Sequence, residues 1–120
     1  MMNQYEVPAL LADELPAIGA ELKMVKSFGN VLGSVRIFTE YTNKMVAIHQ
    51  LEMVKHCMCL AEQLYVKGNN LTRNAIENVF VYAISSMRCC CSKGEWQHIQ
   101  SQMPVTLHSL YVQQVLKSGL

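Results

Sequence analysis

Between residues 47 and 68, apolar side chains return at steps of three and four. Leu51, Val54, Cys57, Met58, Ala61, Leu64 and Tyr65 share one face, while Glu52, Lys55 and Glu62 lie opposite and read as a solvated side. This is the period of an amphipathic α-helix, and Gly68 is a suitable stop. The stretch 70–91 is more apolar still. Leu71, Ala75, Ile76, Val79, Phe80, Ala83, Ile84 and Met87 form a wide face, which Val81 and Tyr82 extend almost all round. A helix apolar on most sides is one wrapped by neighbours. Asn70 is its expected N-cap. β-Propensity in "VFVYAIS" favours a strand locally, but the flanks keep the helical period and no hairpin signal adjoins.

The remaining pattern is shorter-ranged. Val7, Leu10, Leu11 and Leu15 fit a first helix capped by Asn3, with Pro8 in its first turn and Pro16 as its stop. A second short piece runs to Gly29. A third begins at Asn30, with Val31, Leu32, Val35, Phe38 and Thr42 inward and Arg36, Glu40 and Asn43 outward. Gly94 breaks the chain before a short helix with Trp96, Ile99 and Met103 inward. Pro104 opens the last helix, whose inward residues are Leu107, Leu110, Tyr111, Val115 and Leu116. The joins are short, so successive helices are expected to be antiparallel neighbours. The expectation is an all-α single domain over residues 1–120, of about five or six antiparallel helices, centred on 47–67 and 70–91.

Composition changes this picture in one respect. Apolar residues make up 51% of the chain and charged residues only 16%. A small domain cannot easily hide that much apolar surface, so either the core is generous or an apolar patch is exposed for a partner or a second copy. The net charge is +1, and no basic run occurs, which argues against nucleic acid or an anionic membrane surface as partner. No apolar run approaches the roughly 20 residues of a membrane helix, and no secretory leader is evident. Five cysteines in two tight clusters fit a reducing cytoplasm better than a disulfide framework.

Those clusters are the candidate chemistry. Consecutive helical residues diverge by about 100°, so Cys89, Cys90 and Cys91 cannot grip one ion while helical. A composite metal site of His56 and Cys59 with Cys90 and Cys91 is the geometric alternative, because His56 and Cys59 share a face. A redox role for Cys89 and Cys91 would draw on the charges of Arg88 and Lys93, but a helix C-terminus opposes thiolate formation. Core filling is the simpler reading for Cys57 and Cys90. Glu77, in the densest apolar helix, calls for an ion-pair partner, with Arg73 or Arg36 as candidates. No phosphate loop, nucleophile elbow or zinc-protease motif occurs, so neither enzyme activity nor a cofactor is expected. An enzyme would require a polar pocket near Glu77 and Tyr82.

The stretches "FGNVLGSV" (28–35), "LAEQLYVKGNNLTRNAIENVFVYAIS" (60–85) and "MPVTLHSLY" (103–111) together resemble a family of small bacterial all-helical proteins without assigned activity. "KGNNLTRNAIENV" is also similar to the second helix of HEAT-type repeats, with Asn70, Arg73, Ala75 and Val79 in the recurring places. The resemblance implies a bundle or a HEAT- or armadillo-like stack. The functional expectation is a non-enzymatic protein–protein interaction module, binding itself or a protein partner, with an immunity-like role as one version. A thiol-based metal or redox sensor is the alternative.

Overall fold

Helix follows helix along the described chain, residues 6–23 and 31–117 of a computed structural model. α1 spans Glu6–Glu14, a 3₁₀ turn Pro16–Ile18, α2 Gly19–Lys23, α3 Val31–Ala47 and α4 Leu51–Lys67. α5 (Asn70–Ala75), a π-helical turn (Ile76–Val81) and α6 (Tyr82–Cys89) form one continuous rod. α7 (Lys93–Ser101) and α8 (Val105–Lys117) follow. The all-α architecture read from the sequence is therefore the one that forms. The expected caps Asn3 and Asn30, and the stop at Gly29, lie outside the described residues. None of the described helices is long and apolar enough to cross a membrane.

α3 is the hub. It packs against α1, α4, α5, the π turn and α6, so the centre is α3 with the rod, not α4 with the rod. Its buried face is wide because polar residues satisfy themselves within it. Thr39 Oγ1 donates to the Val35 carbonyl at 2.7 Å, and Thr42 Oγ1 to that of Phe38 at 2.9 Å. Bonding back into their own helix lets both threonines enter the core without an unpaired hydroxyl. Phe38 stacks on Phe80 of the rod, with ring centroids 5.0 Å apart and planes 14° from parallel. Leu32, which the pattern placed inward, is exposed.

The π turn has a cause in the sequence. The buried residues of the rod are Thr72, Ala75, Ile76, Phe80, Val81, Ile84 and Met87. Ala75 to Phe80 and Ile76 to Val81 are steps of five. In an α-helix Phe80, four residues on, would stay about 40° from Ile76, but Val81, five on, would lie about 140° round and off the core face. A π turn, bonded five apart, stacks them on one side. Two positions expected on that face are excluded from it: Leu71 is 58% exposed and Tyr82 is 67% exposed.

Two joins have specific geometry. After α3 the chain closes with Gln50 N donating to the Met45 carbonyl at 2.9 Å and His49 N to that of Val46 at 3.1 Å. This is the Schellman arrangement, and His49 holds its left-handed position (φ 61°), which glycine usually takes. A non-glycine residue there costs roughly 1–2 kcal/mol. The turn also moves the start of the next helix from about 47 to Leu51. Between α4 and α5 the N-cap is Asn69, one residue earlier than expected. Its Oδ1 accepts from Thr72 N at 3.1 Å and from Thr72 Oγ1 at 3.2 Å. Gly68 is wedged there: a Cβ would lie 2.4 Å from the Leu64 carbonyl oxygen and 2.6 Å from Thr72 Cβ. Gly68→Ala is therefore expected to lower unfolding free energy by about 1–3 kcal/mol, read by urea denaturation with an unchanged m-value. An alanine variant as stable as the parent would show that this join is not closely packed.

Candidate functional site: the cleft and outer face of α8

α7 is pinned at its first turn. Ser92 Oγ accepts from Glu95 N at 3.2 Å, and Glu95 Oε1 accepts from Ser92 N at 3.4 Å, completing a capping box. Gly94, expected to break the chain, lies inside this first turn. The second carboxylate oxygen, Glu95 Oε2, meets His49 Nδ1 at 2.6 Å. The left-handed backbone of His49 thus sends its imidazole to the start of α7. This hydrogen bond, with help from the Ser92 bonds and the histidine's charge, holds the Glu95 carboxyl below its ordinary value of 4.5 against the opposing effect of burial.

α8 lacks a local cap. Pro104, which precedes Val105, has no side-chain acceptor. Glu62 of α4 supplies one from a distance: its Oε1 accepts from Thr106 N at 2.8 Å and from Leu107 N at 3.2 Å. A carboxylate at a helix N-terminus satisfies orphan donors and favours the helix dipole. Glu62 had read as part of a solvated face. The missed signal was the uncapped Pro104–Val105 start, which requires an acceptor from elsewhere in the fold.

Between α6, α7 and α8 opens a cleft of about 610 Å³. Trp96 and Tyr111 meet edge to face in its wall, ring centroids 5.9 Å apart at 67°. Val112, Val115 and Leu116 line one side, and Arg88, Lys93, Gln97 and Gln100 give it polar groups. Among the described residues no carboxylate lines it, and neither Arg88 nor Lys93 has an acidic partner within ion-pair distance. The Cys91 thiol at its edge is pushed up, first by burial and then by Glu95 and Cys90, so it stays protonated at neutral pH.

The outer face of α8 carries a second apolar stripe, opposite the buried Leu107 and Tyr111. Val105 is 82% exposed, Leu116 70% and Val112 38%. Exposed Ser109 fills the fourth place at helical spacing. Leu116 had been expected inward. Its exposure arises because Leu107 and Tyr111, with Leu110 and Val115 beside them, already complete the core-facing arc.

The residues singled out for metal or redox chemistry are dispersed. His56 Nε2 faces Glu14 Oε2 at 3.4 Å on the surface. Cys59, Cys89 and Cys90 are exposed, and Cys91 is half-buried. Among the described residues no three of His, Cys, Asp and Glu form a group able to hold a metal ion. Cys90, expected in the core three residues after Met87, is exposed because α6 ends at Cys89 and the chain leaves the helical phase. Cys57 is core as expected. Burial raises its thiol to about 11, with the Thr42 hydrogen bond acting the other way.

The expected Glu77–Arg73 ion pair does not form. Tyr65 stands between them, its hydroxyl donating to Glu77 Oε1 at 3.2 Å. Arg73 lies over the Tyr65 ring at 5.6 Å and donates through Nε to the Tyr65 carbonyl at 3.1 Å. Its Nη2 reaches the Val66 carbonyl at 3.5 Å. The guanidinium is thus spent on carbonyls left open at the end of α4. Burial raises the Tyr65 phenol, and Glu77 raises it further. Beside Glu77, Asn78, Tyr82 and Gln113 line a hollow of about 260 Å³, small for a ligand site.

This arrangement defines a small helical protein whose recognisable features are a cleft and an apolar face. The chain belongs to a family described as a domain of unknown function (DUF7674), whose model matches residues 8–117. No curated protein and no solved structure matches it.

Two outcomes test how α7 and α8 are held. Glu62→Ala is expected to destabilise the fold by about 1–2 kcal/mol, and Glu62→Gln by less because an acceptor remains, both read by denaturant unfolding. The stabilisation from Glu95 is complete above its unfolded value of 4.5 and is lost as pH falls through the lower folded value. The stability gap between the parent and Glu95→Gln should therefore close as pH drops below 4.5, and should be narrower in a His49→Gln background.

Proposed function

We propose that this protein is a non-enzymatic helical interaction module that self-associates through the outer face of α8. The reading is carried by the spacing of Val105, Ser109, Val112 and Leu116. Steps of four, three and four read the same in either direction. Two copies of α8 laid antiparallel about a two-fold axis would set Val105 against the other copy's Leu116, and Ser109 against its Val112. Such an isologous contact is self-complementary by construction. No Asp, Glu, Lys or Arg falls between Val105 and Leu116, so closing it desolvates no formal charge. A single helix pair is a small interface, which makes the association weak and concentration-dependent.

Other features support this reading. The resemblance to bacterial proteins with HEAT- or armadillo-like pairs favours it, because such stacks bind through helix faces. Five free cysteines suit a reducing cytoplasm.

Sedimentation velocity over micromolar to near-millimolar concentrations tests the proposal. The parent should move from monomer toward dimer. The double variant V105E/L116E opposes like charges across the two-fold and should stay monomeric. V105E/L116K opposes unlike charges and should regain dimer, because antiparallel pairing sets position 105 against position 116. A parent monomeric throughout, or two charge variants that behave alike, would refute the antiparallel α8 contact.

A further inference from the structure

The cleft between α6, α7 and α8 has a chemistry of its own. Its volume, about 610 Å³, falls within the few hundred to about 1,000 Å³ of small-molecule sites. One side is apolar and aromatic: Trp96 and Tyr111 edge to face, with Val112 and Val115 beside them. Against this stand two cations from different helices, Arg88 near the end of α6 and Lys93 at the start of α7. Among the described residues neither has an acidic partner and no carboxylate lines the cleft.

We infer that this cleft binds a small amphipathic carboxylate, with its anionic head between Arg88 and Lys93 and its apolar body against Trp96 and Val115. Two cations on one head group form charge-assisted hydrogen bonds, which are stronger than neutral ones. The apolar body removes aliphatic surface of Val112, Val115 and Leu116 from water, over a floor formed by the buried rings of Trp96 and Tyr111. Among the described residues no acid pairs with either cation, which leaves both available to a ligand's carboxylate. This inference does not rest on dimerisation through α8, but Val112 and Leu116 belong to both surfaces, so the titration is made at a concentration where the chain is monomeric.

Trp96 is the chain's one tryptophan and serves as a built-in reporter. The experiment titrates the full chain with sodium decanoate below its micellar concentration while following Trp96 emission. Decan-1-ol, equal in chain length but uncharged, is the comparison. The expected result is a saturable emission change with decanoate and binding at least about tenfold weaker for decan-1-ol. The double variant R88Q/K93Q, altered at two exposed positions, should keep its helical circular dichroism and lose that preference for the acid. An emission change that never saturates would overturn the inference. So would equal binding of acid and alcohol, or decanoate binding unaltered in R88Q/K93Q, since each would reduce the cleft to an apolar crevice.

Discussion

The bond between Glu62 and the first turn of α8 is the constraint on which the cleft and the outer face of α8 depend. Pro104 starts that helix without a capping side chain, and the carboxylate of α4 supplies the acceptor at Thr106 and Leu107. The start of α8 is thereby tied to α4, and with it the face α8 turns outward. One side packs Leu107 and Tyr111 into the core, a flank closes the cleft with Val112 and Val115, and the far side is left apolar and open. A second remote contact works alike on α7, where the strained turn at His49 sends an imidazole to Glu95. Both late helices are therefore held by partners on α3–α4, the earlier part of the chain.

The thiols stand apart from this organisation. Cys57 is a core residue whose thiol burial holds protonated, and Cys91 is pushed the same way. Cys59, Cys89 and Cys90 are exposed, and no third ligand joins any pair of His, Cys, Asp or Glu among the described residues. The polar groups near the rod serve structure too: Arg73 closes the end of α4, and Tyr65 occupies Glu77. The surface proposed for self-association is built from ordinary apolar residues on α8.

Periodicity made the helices legible, because burial of one face repeats every turn. The inward residues of α4, from Val54 to Leu64, are those the pattern names, except for Leu60, which is buried as well. It failed where local rules meet tertiary ones. The five-residue step from Ile76 to Val81 belongs to the π turn, which an α-helical period does not reveal, and the same period places Leu71 and Tyr82 inward although both are exposed. Leu116 was misplaced because apolar residues surround α8 on both sides, and a period cannot say which stripe meets the core. The site was less legible than the fold. Excess apolar content is compatible with a generous core or an exposed patch, and neither chooses between them nor locates a patch. Glu62 and Thr106, and likewise His49 and Glu95, are more than forty residues apart, and no local spacing links them.

The account rests on α8 presenting an apolar face to a second copy of the chain. Native mass spectrometry of protein purified without chelator reads subunit number and bound metal together. A metal-free dimer whose share grows with concentration is the expected result. A chain that stays monomeric at the highest concentration sprayed, or that carries a metal ion lost on Cys59→Ser or Cys91→Ser substitution, would contradict it.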